Sequence, residues 1–379
     1  MAGRLALPAA GLLAALRCGR AGGSGASGPR AGEALVEASA LECSEVDWKG
    51  LPAVELSDRG GQDFARVLPS IGGTVGSLTL AGAEVLLPLG SAEEALENHI
   101  RYHKSGMLLP WANRVAGGRY SYFGKELALD INDAAHDAAI HGLLEGHGMQ
   151  VASCSGSSAS LVYTFTGEEA PNGGYPFPGL SVRLDYKLEG GKFVLSVHAS
   201  VPLQAQGPVP FNFGWHSYFK VSDVSQTRLE FDRRGGRQWR QLVTDANLIP
   251  TGPTELFEGF NGSDVIGGTP SRPTYWDNGF VSVDPSADTS PKDLEVRVRG
   301  PGNAPAAVIG GDAGVFRFVQ VFSGSEKVFN ESAVAVELMT CATNAYNTGD
   351  CSAASMYIQP GGSWAAEINV ALEASQDEL

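Results

Sequence analysis

The chain has 379 residues, of which 43% are hydrophobic and 18% are charged, and its formal net charge is −15. This composition supplies enough apolar material for a large core, and the 49 Gly and 21 Pro residues indicate many turns. Lys and Arg are dispersed, which excludes the basic stripe that a nucleic-acid-binding surface needs. After the N-terminal region, no segment has the run of about 18 apolar residues that a membrane span requires. We therefore expect neither nucleic acid nor a membrane as a partner.

The N-terminal region differs from the rest of the chain. Residues 1–32 contain four arginines and no acidic residue, and Leu5 to Leu16 is an apolar run. A basic start followed by so short a run is typical of a secretory signal peptide, whereas the Gly/Ser/Arg-rich continuation is also typical of an organelle transit peptide. The last four residues, 376–379, read Gln-Asp-Glu-Leu and are similar to an endoplasmic reticulum retention signal. We expect residues 1–40 to be a targeting segment and linker and 376–379 a retention tail. The two ends favour the secretory pathway, with the endoplasmic reticulum lumen as destination, over the alternative of a plastid.

Residues 41–375 are predicted to form one all-β domain. Short runs of β-branched or aromatic residues recur between Gly, Pro, Asn and Asp, and many alternate, as in Ser181 to Leu188. Alternation with period two and frequent turns is typical of antiparallel sheets with one packed face. A Gly-Gly loop at 189–192 predicts a hairpin, and a helical period is visible only near residues 91–98. The sequence predicts a large antiparallel β-sandwich.

Four cysteines follow the targeting segment: Cys43, Cys154, Cys341 and Cys351. Cys341 and Cys351 flank a turn-like stretch and could pair in an oxidising lumen; four separate buried thiols are the alternative, and the sequence leaves the choice open. No Cys-x-x-Cys or Cys/His spacing indicates zinc, so no metal site is predicted.

Two stretches place polar groups beside glycines or flat apolar faces. Asn113 and Arg114 follow Trp111 and precede a Gly-Gly turn, which combines hydrogen-bond donors with the flat face that a sugar stacks on. The alternative is an Arg paired with a surface carboxylate and a Trp in the core. Further along, His141 precedes Gly142, which permits the close approach of backbone or ligand.

His216 lies in the aromatic-rich stretch 210–219, after a strand-like segment. Aromatic faces with one titratable group would form the floor of a sugar site, and a structural histidine at a sheet edge is the alternative. Glu337 lies within the apolar strand 334–340. Burying an acid is unfavourable unless it is paired or its pKa is raised, and either state suits a general base. Both faces of the strand are apolar, so Glu337 is predicted to be buried or to face a cleft.

In this order the motifs resemble those of the aldose 1-epimerase (galactose mutarotase) family. The matching pattern is Asn-Arg with Gly-Gly-Arg, then Ile-His-Gly, then Gly-x-His-x-Tyr-Phe, then Glu-x-Met-Thr followed by Asn-Ala-Tyr-Asn and Pro-Gly. It covers about Asp63 to Leu372, nearly the whole predicted domain.

The resemblance implies a β-sandwich of the galactose mutarotase type that interconverts the α and β anomers of a free hexose such as glucose or galactose without a cofactor. It implies that Glu337 is the base that takes the proton from the C1 hydroxyl and that His216 is the acid that protonates the ring oxygen. The chemistry needs one acid and one base, which we expect on opposite edges of the ring. The implied substrate-binding residues are His141, Arg114, Asn113 and Asp277.

Three departures from the family pattern stand out. Ser217 takes the place of the usual Pro after the catalytic His, and Asp277 lies in Trp-Asp-Asn rather than in a paired-Asp form. A Pro-Trp pair typical of the hexose-6-phosphate branch precedes the Asn-Arg of the free-sugar branch. One alternative is therefore a hexose-6-phosphate 1-epimerase, for which Arg119 and Lys104 are the best candidate phosphate ligands. A non-catalytic carbohydrate-binding protein is the other, and the sequence leaves the oligomeric state open.

Overall fold

The structure is a computed structural model that describes residues 41–58, 60–269, 272–284, 292–302, 304–324, 332–352 and 356–373. The expected targeting segment (1–40) and retention tail (376–379) lie outside the described residues, so these assignments and the location stay predictions. None of the helices within the described ranges is long and apolar enough to cross a membrane.

The described residues are mostly β-strands. In chain order these are β1 Leu41–Trp48, β2 Leu51–Asp58, β3 Phe64–Leu68, β4 Thr74–Leu80, β5 Ala83–Glu84, β6 Met107–Leu108, β7 Arg114–Ala116, β8 Arg119–Tyr122, β9 Lys125–Ala128, β10 Ala138–Ile140, β11 Gln150–Ser155, β12 Ser158–Thr164, β13 Ser181–Glu189, β14 Lys192–Ser200, β15 Val209–Pro210, β16 Gly214–Trp215, β17 Tyr218–Lys220, β18 Arg228–Phe231, β19 Gln238–Thr244, β20 Pro250–Phe257, β21 Asn261–Val265, β22 Gly268–Thr269, β23 Arg272–Pro273, β24 Asp277–Val283, β25 Asp293–Arg299, β26 Ala306–Asp312, β27 Phe318–Phe322, β28 Ala333–Met339, β29 Tyr357–Ile358 and β30 Ser363–Glu373. The α-helices are α1 Ala92–Arg101 and α2 Ala345–Thr348, and short 3₁₀ turns cover Pro69–Ile71, Leu144–Gly146, Pro171–Gly173 and Arg234–Gly236.

Two large antiparallel sheets form the body of the domain. One has nine strands in the order β11-β12-β13-β14-β30-β26-β25-β18-β21, and the other has eight, in the order β20-β19-β24-β27-β28-β16-β6 with β17 also paired to β28. A five-stranded meander, β1 to β5, precedes them. Side chains from both large sheets share one buried cluster, which includes Leu195 and Val197 of β14 and Val319 and Val321 of β27. The prediction of a large antiparallel β-sandwich is confirmed.

The alternating strands pack as their pattern predicts. In β13, Val182, Leu184 and Leu188 are buried while their neighbours are more exposed, and burying each such side chain contributes about 1.5–3 kcal/mol. Gly190 and Gly191 join β13 to β14 with φ values of 58° and 73°. Positive φ at both central residues is the conformation that a two-residue hairpin turn requires, so the predicted hairpin is confirmed.

Strand β28 is buried along its whole length, and it is paired with β27 on one edge and with β16 and β17 on the other. The predicted helical segment is also found, as α1. Ser91 caps it by accepting a hydrogen bond from the backbone N–H of Glu94 at 3.1 Å, and the helix extends to Arg101, beyond the predicted end at 98.

Both cysteine pairs form disulfides. Cys341 pairs with Cys351 directly after β28, which is one of the two alternatives that the sequence left open. Cys43 of β1 pairs with Cys154 of β11 across a sequence separation of 111 residues, a pairing that the sequence reasoning did not identify. The alternative of four separate thiols is wrong.

Candidate active site

All six sequence-predicted site residues line a single pocket with a volume of about 260 Å³. The pocket lies where the eight-stranded sheet meets α1 and the loops around β7 and β10. The predicted residues in its wall are Asn113, Arg114, His141, His216, Asp277 and Glu337, and the others include Ile100, Arg101, Tyr102, His103, Asp133, Tyr218 and Phe322.

The backbone of His216 is fixed between two segments. Its N–H donates to the carbonyl of Gly106 at 3.1 Å, and its carbonyl accepts from Ser105 N–H at 2.9 Å. The hydroxyl of the following residue, Ser217, donates to the carbonyl of Val336 at 2.6 Å, and the backbone carbonyl of Ser217 accepts from the Val336 N–H at 3.0 Å. The unusual Ser217 therefore ties the turn that holds His216 to the strand that holds Glu337.

The imidazole of His216 stacks on Tyr218, with ring centroids 4.7 Å apart and an interplanar angle of 8°. Tyr218 is held by its hydroxyl, which donates to the carbonyl of Tyr102 at 3.0 Å. This stacking orients His216 so that its Nε2 lies 3.4 Å from Oε1 of Glu337. The pair of catalytic candidates is in direct contact.

Glu337 is 1% exposed, as predicted for an acid on a strand with two apolar faces. It lies opposite Gln320 in the β27–β28 ladder. Gln320 donates its side-chain amide to Oδ1 of Asp277 at 2.6 Å, which places the Asp277 carboxylate beside Glu337. The second carboxyl oxygen of Glu337, Oε2, is buried without a hydrogen-bond partner among the described residues.

Burial shifts the two groups in opposite directions. Desolvation, reinforced by the charge of Asp277 and opposed by Arg114, raises the pKa of Glu337 well above its ordinary value. Desolvation, reinforced by the charge of His103, lowers the pKa of His216 well below 6.5. Both shifts favour neutral forms, so we describe the pair as holding one proton that resides on Glu337 or on His216.

Arg114 forms the opposite wall. Its Nε donates to Oδ2 of Asp133 at 2.8 Å, and its Nη2 lies 3.5 Å from Oδ2 of Asp277 and from Nδ1 of His136. Burial alone would raise the pKa of Asp133, but the hydrogen bonds from Arg114 and His136 outweigh it and lower the pKa. The predicted alternative of an Arg–carboxylate pair is thus also present, as part of the pocket.

Asn113 and His141 meet through the backbone. Asn113 has a φ of 57°, a conformation that Asn tolerates better than most residues, and its carbonyl accepts from His141 N–H at 3.2 Å. Next to His141, a Cβ on Gly142 would lie 2.0 Å from the carbonyl oxygen of Leu109. The close backbone approach predicted for the His-Gly pair is confirmed, and it sets the position of His141.

The sequence reasoning missed several residues of this pocket. His103, Asp133 and Tyr218 line it, and Glu145 supports His103 from behind. Asp133 and His136 are three residues apart in the sequence, and this spacing could have indicated a polar pair. In the structure, Oδ1 and Oδ2 of Asp133 both lie 2.9 Å from His136 Nδ1. His103 carries no such signal, since it follows a predicted helix in an ordinary loop.

The two residues proposed as phosphate ligands do not line the pocket. Lys104 is buried and its Nζ pairs with Glu94. Arg119 is exposed on β8. The predicted basic cluster of Arg119 and Lys104 is therefore wrong, because neither side chain lines the pocket.

A family model described as aldose 1-epimerase matches residues 52–370. The chain belongs to the aldose 1-epimerase family. The predicted family is confirmed, and the protein is an isomerase of the epimerase or mutarotase kind.

Individual relatives of the family cover the chain to different extents. The galactose mutarotase of Sus scrofa is 27% identical over 178 residues, 47% of this chain and 49% of that protein. The uncharacterized protein YihR of Escherichia coli K12 is 27% identical over 290 residues, 76% of this chain and 84% of that protein. The chain thus aligns with about half the length of the pig mutarotase.

Solved structures of the aldose 1-epimerase family share the fold. The galactose 1-epimerase of Lactobacillus acidophilus superposes with a TM-score of 0.66 at 16% identity, covering 89% of this chain and 100% of that one. A galactose mutarotase-like protein of Clostridium acetobutylicum superposes with a TM-score of 0.69 at 17% identity, covering 88% and 99%. The predicted galactose mutarotase type of β-sandwich is confirmed.

Replacing Glu337 with Gln tests the raised pKa. The unfolded chain releases the Glu337 proton near the ordinary value of 4.5, while the folded protein retains it to higher pH. Folding stability contributed by this residue is therefore lost as the pH rises from that value through the folded-state pKa. We expect Glu337→Gln, which cannot ionise, to gain in Tm relative to the parent as the pH rises from about 4 to about 8. A Tm difference that stays constant over this range, measured by calorimetry, would contradict the raised pKa.

Replacing Gly142 with Ala tests the close approach that positions His141. The added Cβ must displace the Leu109 carbonyl, and the φ of 73° adds the strain of a left-handed residue. We expect a loss of about 2 kcal/mol or more in the free energy of unfolding. Gly190→Ala is the matched control, because Gly190 also has a positive φ but has nothing within 4 Å of its Cβ position. Equal losses in denaturant titrations of the two variants would show that the contact with Leu109 is unimportant.

Proposed function

We propose that the protein is an aldose 1-epimerase that interconverts the α and β anomers of free hexoses such as glucose or galactose. The observation that carries this proposal is the approach of His216 Nε2 to Glu337 Oε1, 3.4 Å, inside a pocket that also contains Arg114, His141 and Asp277. Apolar surface from Phe322 and Tyr218 accompanies these polar groups. A sugar needs this combination of CH-stacking faces and hydrogen-bond partners.

The short distance between acid and base suits the chemistry of the anomeric carbon. The hydroxyl oxygen O1 and the ring oxygen O5 are both bonded to C1, so their two proton-transfer partners must be neighbours. We expected Glu337 and His216 on opposite edges of the ring, and the contact between them corrects that expectation. The carboxylate and the imidazole act on the two oxygens that are bonded to the same carbon, C1.

Ring opening and closure each transfer two protons, so that the pair holds one proton before and after each step. The Glu337 carboxylate takes the proton from O1, the C1–O1 bond becomes a carbonyl, the C1–O5 bond breaks, and O5 takes the proton from His216 Nε2. Rotation about C1–C2 presents the other face of the carbonyl. O5 then attacks C1 and returns its proton to His216, while protonated Glu337 gives its proton to O1. All atoms and charges balance, and each proton transfer supplies about 10²–10⁴-fold in rate.

The pKa shifts of Glu337 and His216 are compatible with this cycle. Ring opening leaves Glu337 protonated and His216 neutral, which are the forms that burial favours through its effect on both pKa values. The starting form has the proton on His216 and requires an ionised Glu337. Arg114 supports it, since its charge opposes the rise in the pKa of Glu337. Both arrangements carry the same net charge.

The charges of the pocket favour a free sugar over a sugar phosphate. The guanidinium of Arg114 already faces two carboxylates, Asp133 and Asp277. At the rim, Arg101 pairs with Glu97 within α1. A phosphate dianion would enter an environment whose cations are already paired, and desolvating it without a matched cation is unfavourable.

A non-catalytic carbohydrate-binding protein is the second candidate from the sequence. Binding a neutral polyol does not require a buried carboxylic acid in contact with a buried histidine. Each of these groups leaves one polar atom, Glu337 Oε2 and His216 Nδ1, without a partner among the described residues, which costs free energy. The pair therefore favours catalysis.

Polarimetry tests the proposed reaction. We expect the purified protein to accelerate the change in optical rotation of freshly dissolved α-glucose or α-galactose. Glu337→Gln and His216→Asn should each lower the rate by about 10²–10⁴-fold while the protein stays folded, because each removes one proton-transfer partner. His198→Asn, on the half-exposed face of β14, is the matched control and should retain full activity. Acceleration of glucose 6-phosphate but of no free hexose would move the assignment to the hexose-6-phosphate alternative.

The pH dependence of kcat/KM tests the one-proton pair. We expect a bell-shaped profile, because the pair is inactive when it holds two protons or none. The acid limb should lie below the ordinary histidine value of 6.5, since burial lowers the pKa of His216. An acid limb with its midpoint at or above pH 6.5 would show that the pKa of His216 is not lowered in the free enzyme.

We also propose that the chain enters the secretory pathway and is retained in the endoplasmic reticulum. The two disulfides suit an oxidising compartment, and the basic, apolar N-terminal run and the Gln-Asp-Glu-Leu ending support the same address. Microscopy of the full chain with a fluorescent protein inserted between Gly190 and Gly191 keeps both ends free. We expect a reticular signal that is lost to the medium when residues 376–379 are deleted, whereas a plastid signal would contradict the proposal.

A further inference from the structure

His103 occupies a fixed position at the edge of the pocket. It follows α1 with a φ of 51°. Its N–H donates to the carbonyl of Asn98 at 2.8 Å, and its carbonyl accepts from Gly106 N–H at 3.0 Å. A left-handed conformation in a residue other than Gly is uncommon and must be held by its surroundings. The backbone here is held on both sides.

The ring of His103 is held by a buried carboxylate. Its Nδ1 is hydrogen-bonded to Oε2 of Glu145, and Oε1 of Glu145 accepts from the Asn98 side-chain amide at 3.2 Å. Glu145 and Asn98 are 3% and 1% exposed. Gly106 leaves room for the carboxylate, because a Cβ there would lie 2.0 Å from Glu145 Oε1. A buried carboxylate is unfavourable unless it is hydrogen-bonded, and the Glu145 carboxylate has His103 Nδ1 and the Asn98 amide as its partners.

The same ring packs against both histidines of the site. Its centroid lies 4.6 Å from that of His141 and 6.4 Å from that of His216, with interplanar angles of 61° and 15°. The side chain of His103 is 14% exposed and lines the pocket. Because Nδ1 is bound to Glu145, the remaining ring nitrogen, Nε2, lies on the edge away from that carboxylate. The support by Glu145 resembles the carboxylate–histidine arrangements that fix a ring for work at its other nitrogen.

We propose that His103 is a further substrate-binding residue, whose Nε2 hydrogen-bonds one hydroxyl of the sugar beside the reacting carbon. Glu145 and Asn98 are positioning residues that act through His103. A neutral hydroxyl fits better than an anionic group, because the Glu145 carboxylate lies on the other side of the ring. This proposal rests on the proposed epimerase function and adds a contact to it.

Deoxy sugars combined with a His103 variant test the contact. His103→Asn removes the ring while keeping a residue that tolerates a positive φ. Mutarotation is measured with glucose and with its monodeoxy analogues at C2, C3, C4 and C6, each relative to its own uncatalysed rate. We expect the variant to lose about tenfold in kcat/KM on glucose, equivalent to about 1.4 kcal/mol. For one of the analogues, the parent should have a kcat/KM about tenfold lower than on glucose. For that same analogue, the kcat/KM of the variant should equal its own value on glucose, because the contact is already missing.

A purely structural role predicts a different pattern, in which His103→Asn lowers kcat/KM by the same factor on glucose and on every analogue. That result would overturn the proposal. Glu145→Ala should weaken the same hydroxyl-specific loss, and His198→Asn should leave every ratio unchanged. If His103→Asn does not fold, His103→Gln gives the same comparison. Failure of the parent to accelerate any free hexose would overturn the proposed function, whereas an active parent without hydroxyl-specific coupling would overturn only the role of His103.

Discussion

The site depends on one buried contact, between the carboxyl group of Glu337 and the imidazole of His216. Glu337 lies in β28 of the eight-stranded sheet and His216 lies in the turn between β16 and β17, and each leaves one polar atom without a partner among the described residues. Such a pair opposes folding, so the surrounding strands must supply the compensating free energy. Strand β28 contributes to this, because all seven of its residues are buried and both of its edges are paired. Ser217 links the two catalytic segments by hydrogen bonds to Val336, which keeps the pair in register.

Around this contact the backbone is unusually constrained. Asn113, His103 and His141 all have positive φ values, and all three line the same pocket. Left-handed residues other than Gly cost of order 1–3 kcal/mol each and persist where the structure holds them firmly. Here the carbonyl of Asn113 holds His141, and the carbonyl of Asn98 holds His103. The loops are therefore rigid supports, which suits a reaction in which proton donors must meet two oxygens on one carbon.

Local patterns in the sequence sufficed for the fold and singled out most of the predicted site residues, whereas Asp277 and the roles of all six came from the family resemblance. Alternation in β13 reflects one-sided burial, and the two apolar faces around Glu337 reflect a central strand, so both could be predicted from neighbouring residues. The partnership of His103 with Glu145 joins residues 42 apart, and the Cys43–Cys154 disulfide joins residues 111 apart. These pairings depend on how loops meet after the sheets form, which period-two patterns do not encode. The prediction of Lys104 as a phosphate ligand was wrong for the same reason. Its partner, Glu94, lies on α1, and the sequence does not show where this helix packs.

The charges in the pocket are balanced locally, although the whole chain is acidic. The net charge of −15 resides on the whole chain, yet Arg114 stands between two carboxylates and the catalytic pair holds a single proton. The neutral sugar that we propose as substrate would enter without changing this balance. Because the two anomers differ little in free energy, a site that bound one of them much more tightly would deepen that ground state and slow the return reaction. Catalysis in both directions requires that binding energy be reserved for the opening ring, where charge moves between O1 and O5. In the reaction that we propose, the contact between Glu337 and His216 would achieve this, since the proton that leaves O1 is matched by the proton that arrives at O5.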